Sequence, residues 1–192
     1  MKKTLLVATI LFGLWLLSSS GYMLMKAELS QYLIKEAWNK SIFDKQNHKP
    51  WSWADTYPIM YLNVPRIGKS SYILQGGSNR NMAFSVVHLD PSGMPGEKKS
   101  TILSGHKDSH FDYLKELKIG DEIVTQDKNT SHVFRVTSMN IVNSKSKAIA
   151  IRNTNELILT TCYPFSDFEF GGDLRYIVHA SPIDNRGMVE NM

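Results

Sequence analysis

Cysteine is nearly absent from this chain: Cys162 is the only one among 192 residues. A single thiol excludes an internal disulfide framework, so a hydrophobic core must hold the fold together. It also makes a redox function weak, because redox thiols usually work with a second, resolving cysteine. In an extracytoplasmic domain a lone thiol would have to stay reduced without a partner. This suits a reactive cysteine slightly better than a structural one.

A strong excess of charge is missing too. The formal net charge is +4, and it falls to +2 without Lys2 and Lys3 at the very start. This balance is too weak to predict a nucleic-acid partner. The chain also lacks internal repeats and low-complexity tracts. Its content of 42% apolar and 21% charged residues is typical of one globular domain, and the length leaves room for an appendage.

The 22 residues 4–25 contain no charged side chain. As a helix this run would reach about 33 Å, enough to cross a hydrocarbon core of about 30 Å. A cleaved secretory signal is the alternative, but the apolar character continues past residues 18–21 and no Ala-x-Ala site appears. We therefore predict a retained anchor. Lys2 and Lys3 place its first end in the cytoplasm and the rest of the chain on the extracytoplasmic side of the membrane.

After the anchor, the apolar spacing of residues 27–41 predicts a helix with Leu29, Leu33 and Ala37 on one face and Ile34 and Trp38 beside it. This helix could lie on the membrane surface, but we favour packing against the folded body. Polar residues then break the pattern and predict a linker. The chain thus divides into four predicted parts: an anchor (1–26), a helical stalk and linker (27–50), a folded domain (51–185) and a tail (186–192).

The folded domain reads as mainly β. Short runs rich in β-branched and aromatic residues alternate with polar turn clusters, and only a turn or two of helix, around residues 112–117, fits between them. Many short strands with polar turns predict a sandwich or a closed barrel. The predicted strands cover residues 59–67, 72–74, 100–103, 122–125, 132–142, 156–161 and 175–180.

Cys162 stands at the end of one predicted strand, and Pro164 follows two residues later. Proline cannot donate a ladder hydrogen bond, so the strand should stop near the cysteine. A thiol at the open end of a strand is held rigidly yet reachable from solvent, as a nucleophile must be. A buried cysteine acting as a small hydrophobe is the alternative, and this strand alone does not decide between the two.

Two other residues could complete a site with the thiol. His106 follows the short apolar strand 100–103, and parallel pairing with the cysteine strand would bring both strand ends together. Arg175 begins the last strand, so antiparallel pairing would place it at the same edge as Cys162. Whether the two side chains share a face depends on a register that the sequence does not reveal. A turn histidine and a surface arginine are the ordinary alternatives.

His106 and His110 also have the i, i+4 spacing of a zinc pair. They lie in a loop with glycine and serine, without the glutamate and continuous helix of the zinc-protease motif. No metal is therefore expected.

At this point the chain resembles the sortases, which are membrane-anchored cysteine transpeptidases. Three blocks carry the resemblance in the family's order over about residues 50–180, and two further features resemble the Gram-negative branch, close to class D. The three blocks are Leu159-Thr160-Thr161-Cys162, the stretch Leu103-Ser104-Gly105-His106-Lys107-Asp108-Ser109-His110-Phe111, and Arg175-Tyr176-Ile177-Val178. The branch features are Trp51-Ser52-Trp53-Ala54-Asp55 and Cys162-Tyr163-Pro164-Phe165 with Gly171-Gly172.

The chain departs from the family pattern at two places. Lys107 replaces the usual arginine after the histidine, which keeps the charge but loses the planar fork. The stretch before His88 reads Ala-Phe-Ser-Val-Val where many relatives carry Phe-Gly-Pro-Gly, so one wall of the substrate groove is expected to differ in shape.

The resemblance implies an eight-stranded β-barrel with short helices behind an N-terminal transmembrane helix. It implies Cys162 as nucleophile, His106 as acid and base, and Arg175 as oxyanion or substrate clamp. It also implies substrate contacts from Thr160, Thr161, His88 and Asp108, and no cofactor.

The implied substrate is a secreted protein with a C-terminal LPxTG-like sorting signal, cleaved through a thioester and transferred to an amine. The identity of that amine stays open. Two other functions also stay open: a membrane-tethered cysteine peptidase that releases its product to water, and a non-catalytic barrel that binds an extended peptide.

Overall fold

The computed structural model describes residues 2–146, 148–166 and 172–183. The predicted tail 186–192 and Gly171 lie outside the described residues. The strands are β1 (Pro58–Val64), β2 (Lys69–Gln75), β3 (Val87–His88), β4 (Thr101–Ser104), β5 (Glu122–Gln126), β6 (Ser131–Asn143), β7 (Leu157–Cys162) and β8 (Leu174–Pro182). The helices are α1 (Lys2–Asp44), α2 (Asn79–Met82) and two short 3-10 turns, Pro65–Ile67 and Asp112–Glu116.

The eight strands close into a barrel in the order β1-β2-β3-β4-β7-β8-β6-β5. The mainly β prediction and the eight-stranded barrel implied by the family resemblance are confirmed. The predicted strand over residues 59–67 runs too far, because Pro65 opens a 3-10 turn that ends at Gly68 with φ of 61°. β3 was not predicted, since two residues are too short to show a periodicity.

The strands alternate between the barrel interior and the outer surface. On β1, Met60, Leu62 and Val64 are fully buried, while Tyr61 and Asn63 between them are half-exposed. β7 differs because both of its faces are covered. Leu157 and Leu159 join the interior core, and Ile158 joins a second apolar cluster with Ile102 and Ile177 on the outer face. This outer cluster lies along the strand that ends at the cysteine.

Pairing around β7 brings three chain segments to one edge of the barrel. β4 runs parallel to β7, with Ser104 beside Thr160. β8 runs antiparallel to β7, with Arg175 directly opposite Cys162. β4 and β7 therefore end together, and β8 begins at the same place. Both pairings on which the predicted site depends are confirmed.

The predicted helix over residues 27–41 is the second half of α1, which continues to Asp44. It packs against the barrel: Ile34, Ala37 and Trp38 are buried, and the Gln31 side-chain nitrogen Nε2 donates to the carbonyl oxygen of Phe84 at 2.6 Å. Burial of an isoleucine side chain of this kind contributes about 1.5–3 kcal/mol. The predicted apolar face is wrong at Leu29, which is 56% exposed.

Within the described part of the chain, none of the helices combines the length and the hydrophobicity needed to cross a membrane.

Candidate active site

Cys162 is the last residue of β7, and its side chain is half-buried. The residue before it is anchored firmly. The Thr161 hydroxyl is buried and donates to the carbonyl oxygen of Gly105 at 2.7 Å, across to the end of β4. After the cysteine, the Tyr163 amide donates to the Leu174 carbonyl at 3.0 Å. The thiol therefore stands between two fixed backbone positions at the rim of the barrel.

His106 follows β4 by two residues. The intervening Gly105 donates its amide to the Thr160 carbonyl at 3.3 Å, which continues the β4–β7 pairing. A Cβ atom at Gly105 would lie 3.0 Å from Cγ of Phe111, so the close packing of this loop favours glycine. The Phe111 amide then closes the loop onto the His106 carbonyl at 3.0 Å. This turn holds an exposed imidazole beside the end of β7.

Arg175 and Cys162 are direct partners on neighbouring antiparallel strands. Side chains of such opposed pairs point to the same side of the sheet, which settles the register that the sequence left open. The Arg175 guanidinium nitrogen Nη1 donates to the carbonyl oxygens of Gly172 at 2.7 Å and Leu174 at 2.9 Å. These bonds hold the guanidinium at the mouth of the β7–β8 loop.

Cys162, His106 and Arg175 line one pocket of about 300 Å³. The predicted nucleophile, acid–base group and cation are thus brought together around a cavity large enough for several atoms of a peptide. A thiol, an imidazole and a guanidinium around one cavity supply the groups that acyl transfer through a thioester requires. The remaining lining is mostly apolar or hydroxylic: Asn79, Met82, Leu89, Ser104, Gly105, Val142, Ser144, Ala148, Ile149, Thr160 and Thr161.

Lys107 connects the two loops that carry the histidine and the cysteine. It is only 8% exposed, and its Nζ atom donates to the carbonyl oxygens of Pro164 and Ser166, both at 2.8 Å. The sequence singled out Lys107 only as a departure from the family pattern. Its charge and its place directly after His106 were the available signals, but its partners lie 57 and 59 residues away.

The four predicted substrate contacts lie at different distances from the pocket. Thr160 and Thr161 line it, and the Thr160 hydroxyl oxygen is buried with no hydrogen-bond partner among the described residues. His88 is buried on β3, and its ring nitrogen Nε2 lies 3.0 Å from both the Gly93 carbonyl and the Ser92 hydroxyl. Asp108 is exposed. His88 and Asp108 lie outside the lining of this pocket that the structure describes.

His110, the second histidine of the loop, has a different environment from His106. Burial lowers the pKa of His110, and the positive charge of a protonated His106 lowers it further. A hydrogen bond with the Ala83 backbone acts in the opposite direction. His110 is therefore neutral at pH 7, and His106 is the loop histidine that lines the pocket.

Sequence comparison decides the family. Residues 62–183 match the model of the sortase domain. The chain belongs to the sortase family. Sortases are cysteine transpeptidases, and this one has a single cysteine at the expected end of β7.

Two individual sortases are similar to this chain in sequence. Sortase D of Bacillus subtilis (strain 168) is 30% identical over 124 residues, which span 64% of this chain and 62% of that protein. The catalytic domain of Bacillus anthracis SrtD is 29% identical, with a TM-score of 0.56 over 66% of this chain and 88% of that one. These relatives agree with the predicted closeness to class D, whereas the predicted Gram-negative branch stays a prediction.

The fold matches over a longer stretch. The structure of a Clostridium perfringens sortase D5 transpeptidase superposes with a TM-score of 0.66 at 17% identity, covering 82% of this chain and 99% of that one. At this identity the similarity shows the shared fold, not a shared substrate.

Proposed function

We propose that this sortase cleaves an LPxTG-type sorting signal near the C-terminus of a secreted protein and transfers the acyl group to an amine. The observation that carries the proposal is the opposed pair Cys162 and Arg175, with His106 in the same pocket. Each of these three residues comes from a different strand end, and a single scissile carbonyl in the cavity would lie beside all of them.

In the proposed reaction the Cys162 thiolate attacks the scissile carbonyl carbon, and negative charge develops on the carbonyl oxygen. The Arg175 guanidinium stabilises that charge. Its bonds to Gly172 and Leu174 both use Nη1, so the N–H groups on Nε and Nη2 are the ones that can address the substrate. His106 as imidazolium then protonates the departing amine, which leaves an acyl thioester on Cys162.

The second half of the reaction reverses these roles. An incoming amine attacks the thioester carbonyl, His106 accepts its proton, and Cys162 leaves as thiolate. Amide formation restores the enzyme, and no cofactor takes part. Thr160 and Thr161 are proposed substrate contacts from the floor of the pocket. The proposed roles of His88 and Asp108 are less direct, because both lie outside the described pocket lining.

The proposed cellular setting rests on the sequence. The uncharged run of residues 4–25 is proposed to anchor the protein in the inner membrane, with residues 27–50 as stalk and linker and residues 51–185 as catalytic domain on the periplasmic side. Fractionation of cells would test this proposal: full-length protein should be found in the membrane fraction. A shortened, soluble chain would show that the run is removed.

Product analysis tests the activity. The full-length chain in detergent micelles is incubated with an LPxTG-type peptide, with and without an added primary amine, and products are identified by mass spectrometry. We expect cleavage to depend on Cys162 and a ligated product to form when amine is present. Release to water alone, at any amine concentration, would favour the membrane-tethered peptidase. Binding without cleavage would favour the non-catalytic peptide-binding barrel.

A further inference from the structure

A second cavity, of about 570 Å³, lies on the outer face of β6 and β8 beneath the loop that leads into β7. We call it the distal pocket. Val142, Ala148 and Ile149 line both the distal pocket and the catalytic pocket. The two cavities therefore adjoin across these three side chains. We call the pair of cavities the groove; it starts at Cys162 and runs along the strands away from it.

The strand register gives the length of this groove. Ile158 on β7 lies opposite His179 on β8, and each is four residues from the catalytic pair Cys162 and Arg175. At about 3.3 Å per residue this places His179 roughly 13 Å from the thiol, and Glu156 further still. An extended peptide has the same rise per residue. With its scissile bond at Cys162, its fifth to seventh residue from that bond would lie in the distal pocket.

Chemistry along the groove gives the direction of the peptide. Between the two pockets the outer apolar cluster of Ile102, Ile158 and Ile177 is buried, and the partly exposed side chains of Val142 and Ile149 pack over it. Val142 and Ile149 therefore form the apolar stretch that a peptide can reach there. An LPxTG-type signal has its apolar leucine and proline on the N-terminal side of the cleaved bond. This matches the apolar stretch to the sorting motif and leaves the distal pocket for residues that precede the motif. This step rests on the function proposed above.

A buried carboxylate lies at the far end. Glu156 is 8% exposed; its oxygen Oε1 accepts from Nδ1 of His179 at 2.8 Å, and Oε2 is buried with no hydrogen-bond partner among the described residues. Because a carboxylate only accepts, His179 donates to it from Nδ1. The site therefore presents one buried carboxylate oxygen, Oε2, that lacks a donor among the described residues.

Besides His179, the described residues place one cationic side chain near this carboxylate, and it is weakly engaged. Nη1 of Arg152 lies 3.7 Å from Oε1 of Glu156, and the Arg152 side chain is 62% exposed. At that distance and exposure the pair contributes little, so a better-placed cation can replace it.

We propose that the distal pocket is a specificity subsite for a basic side chain, lysine or arginine, located five to seven residues before the cleaved bond and thus upstream of the sorting motif. Glu156 pairs with the cationic group, and the hydrogen bond from His179 helps to orient Glu156. The substrate class is a secreted protein with a sorting signal preceded by a basic residue.

The test is a competition between peptides with one motif and different upstream residues. Full-length enzyme in detergent is given peptides with lysine, methionine or glutamate at each of the three upstream positions, and kcat/KM is measured for each. We expect lysine at one position to raise kcat/KM about tenfold over methionine, since charge-assisted hydrogen bonds are stronger than neutral ones. Equal values for all peptides, or a preference for glutamate, would overturn the subsite.

Two variants connect any preference to the named residues. Glu156→Gln should bring the lysine-to-methionine ratio close to one, because the amide keeps the shape but not the charge. Arg152→Met should raise that ratio, because the competing cation is gone; this side chain is exposed, so the fold should tolerate the change. If neither single variant changes the lysine-to-methionine ratio of kcat/KM, the proposed pairing of Glu156 with the basic side chain is overturned. Failure to process any peptide would contradict the proposed function instead.

Discussion

The buried ammonium group of Lys107 lies 2.8 Å from the carbonyl oxygen of Pro164. Lys107 directly follows His106, and Pro164 comes two residues after Cys162. This hydrogen bond, with its twin to Ser166, joins the loop of the acid–base group to the loop of the nucleophile. A charge at 8% exposure is costly to bury, and here two carbonyl dipoles and the Asp108 carboxylate, 4.0 Å away, compensate it. The contact is therefore expected to fix the distance between the two reacting groups.

Lys107→Met should lower kcat about 10- to 100-fold with a smaller effect on KM, because misplaced reacting groups slow the chemistry more than binding. It should also reduce the free energy of unfolding by about 1.5–3 kcal/mol, since hydrogen bonds from a charged donor are lost. Lys107→Arg should recover part of kcat. Steady-state kinetics and thermal unfolding check both effects, with the exposed Lys98→Met as matched control. Unchanged kcat in Lys107→Met would disprove the positioning role.

Thr161 provides a second connection between the same two segments. Its buried hydroxyl donates to the Gly105 carbonyl, one residue before His106. Thr161→Val has nearly the same shape but no donor, and it should cost about 1–2 kcal/mol of unfolding free energy. Thr161→Ser keeps the donor, so its free energy of unfolding should decrease less. Denaturant unfolding of both variants compares them directly. If valine proved as stable as threonine, this hydrogen bond would not be holding the site together.

Arg175 is expected to act on the transition state. Arg175→Ala should lower kcat by about two to three orders of magnitude, as removal of an oxyanion donor does elsewhere. Arg175→Lys keeps the charge without the planar fork, so its kcat should lie between those of the wild type and Arg175→Ala. Arg135→Ala, at an exposed strand position, is the matched control. Arg175→Ala with a raised KM and normal kcat would point to substrate binding alone.

An ion pair on the far side of the barrel predicts a pH dependence of stability. Arg66 donates from Nε and Nη2 to the two carboxylate oxygens of Asp121 at 2.5 and 2.8 Å, and this hydrogen bonding lowers the pKa of Asp121 below its ordinary value of 3.8. The ionised carboxylate is thus favoured by folding. Its contribution is present above pH 3.8 and is lost as pH falls through the lower, folded-state pKa.

The free energy of unfolding of the wild-type chain should therefore decrease below about pH 4, and Asp121→Asn should flatten that part of the profile. Glu122→Gln is the control, because its ion pair with Arg135 is about half exposed on both sides and contributes little. Urea unfolding between pH 2.5 and 7 measures the difference. Identical acid profiles for wild type and Asp121→Asn would show that this pair does not contribute.

Local sequence patterns were sufficient to predict the parts of the site, because strand ends are local features. Backbone pairing stops at recognisable places in the sequence. The apolar run before Cys162 is followed by Pro164, and a short apolar strand precedes His106. Which strands pair, and in which register, depends on the closed barrel as a whole. The sequence therefore could not predict that Cys162 and Arg175 lie opposite each other; the structure shows this pairing.

The remaining differences have similar causes. Ala37, Ile34 and Trp38 are buried as the predicted apolar side of the helix requires, whereas Leu29, nearer the start of that side, is exposed. Lys107 and the pair Glu156 and His179 act through partners that are distant in sequence. A spacing rule cannot find such contacts. By contrast, the family resemblance pointed to Thr160 and Thr161, and both line the pocket.

Trapping the acyl-enzyme tests the central claim most directly. Full-length protein is mixed with an LPxTG-type peptide in the absence of added amine, quenched in acid within seconds, digested and analysed by mass spectrometry. We expect an increase in mass equal to the acyl part of the peptide, located on the fragment that contains Cys162 and discharged by a primary amine. Cleavage of the peptide by a Cys162→Ala variant at the wild-type rate would contradict it.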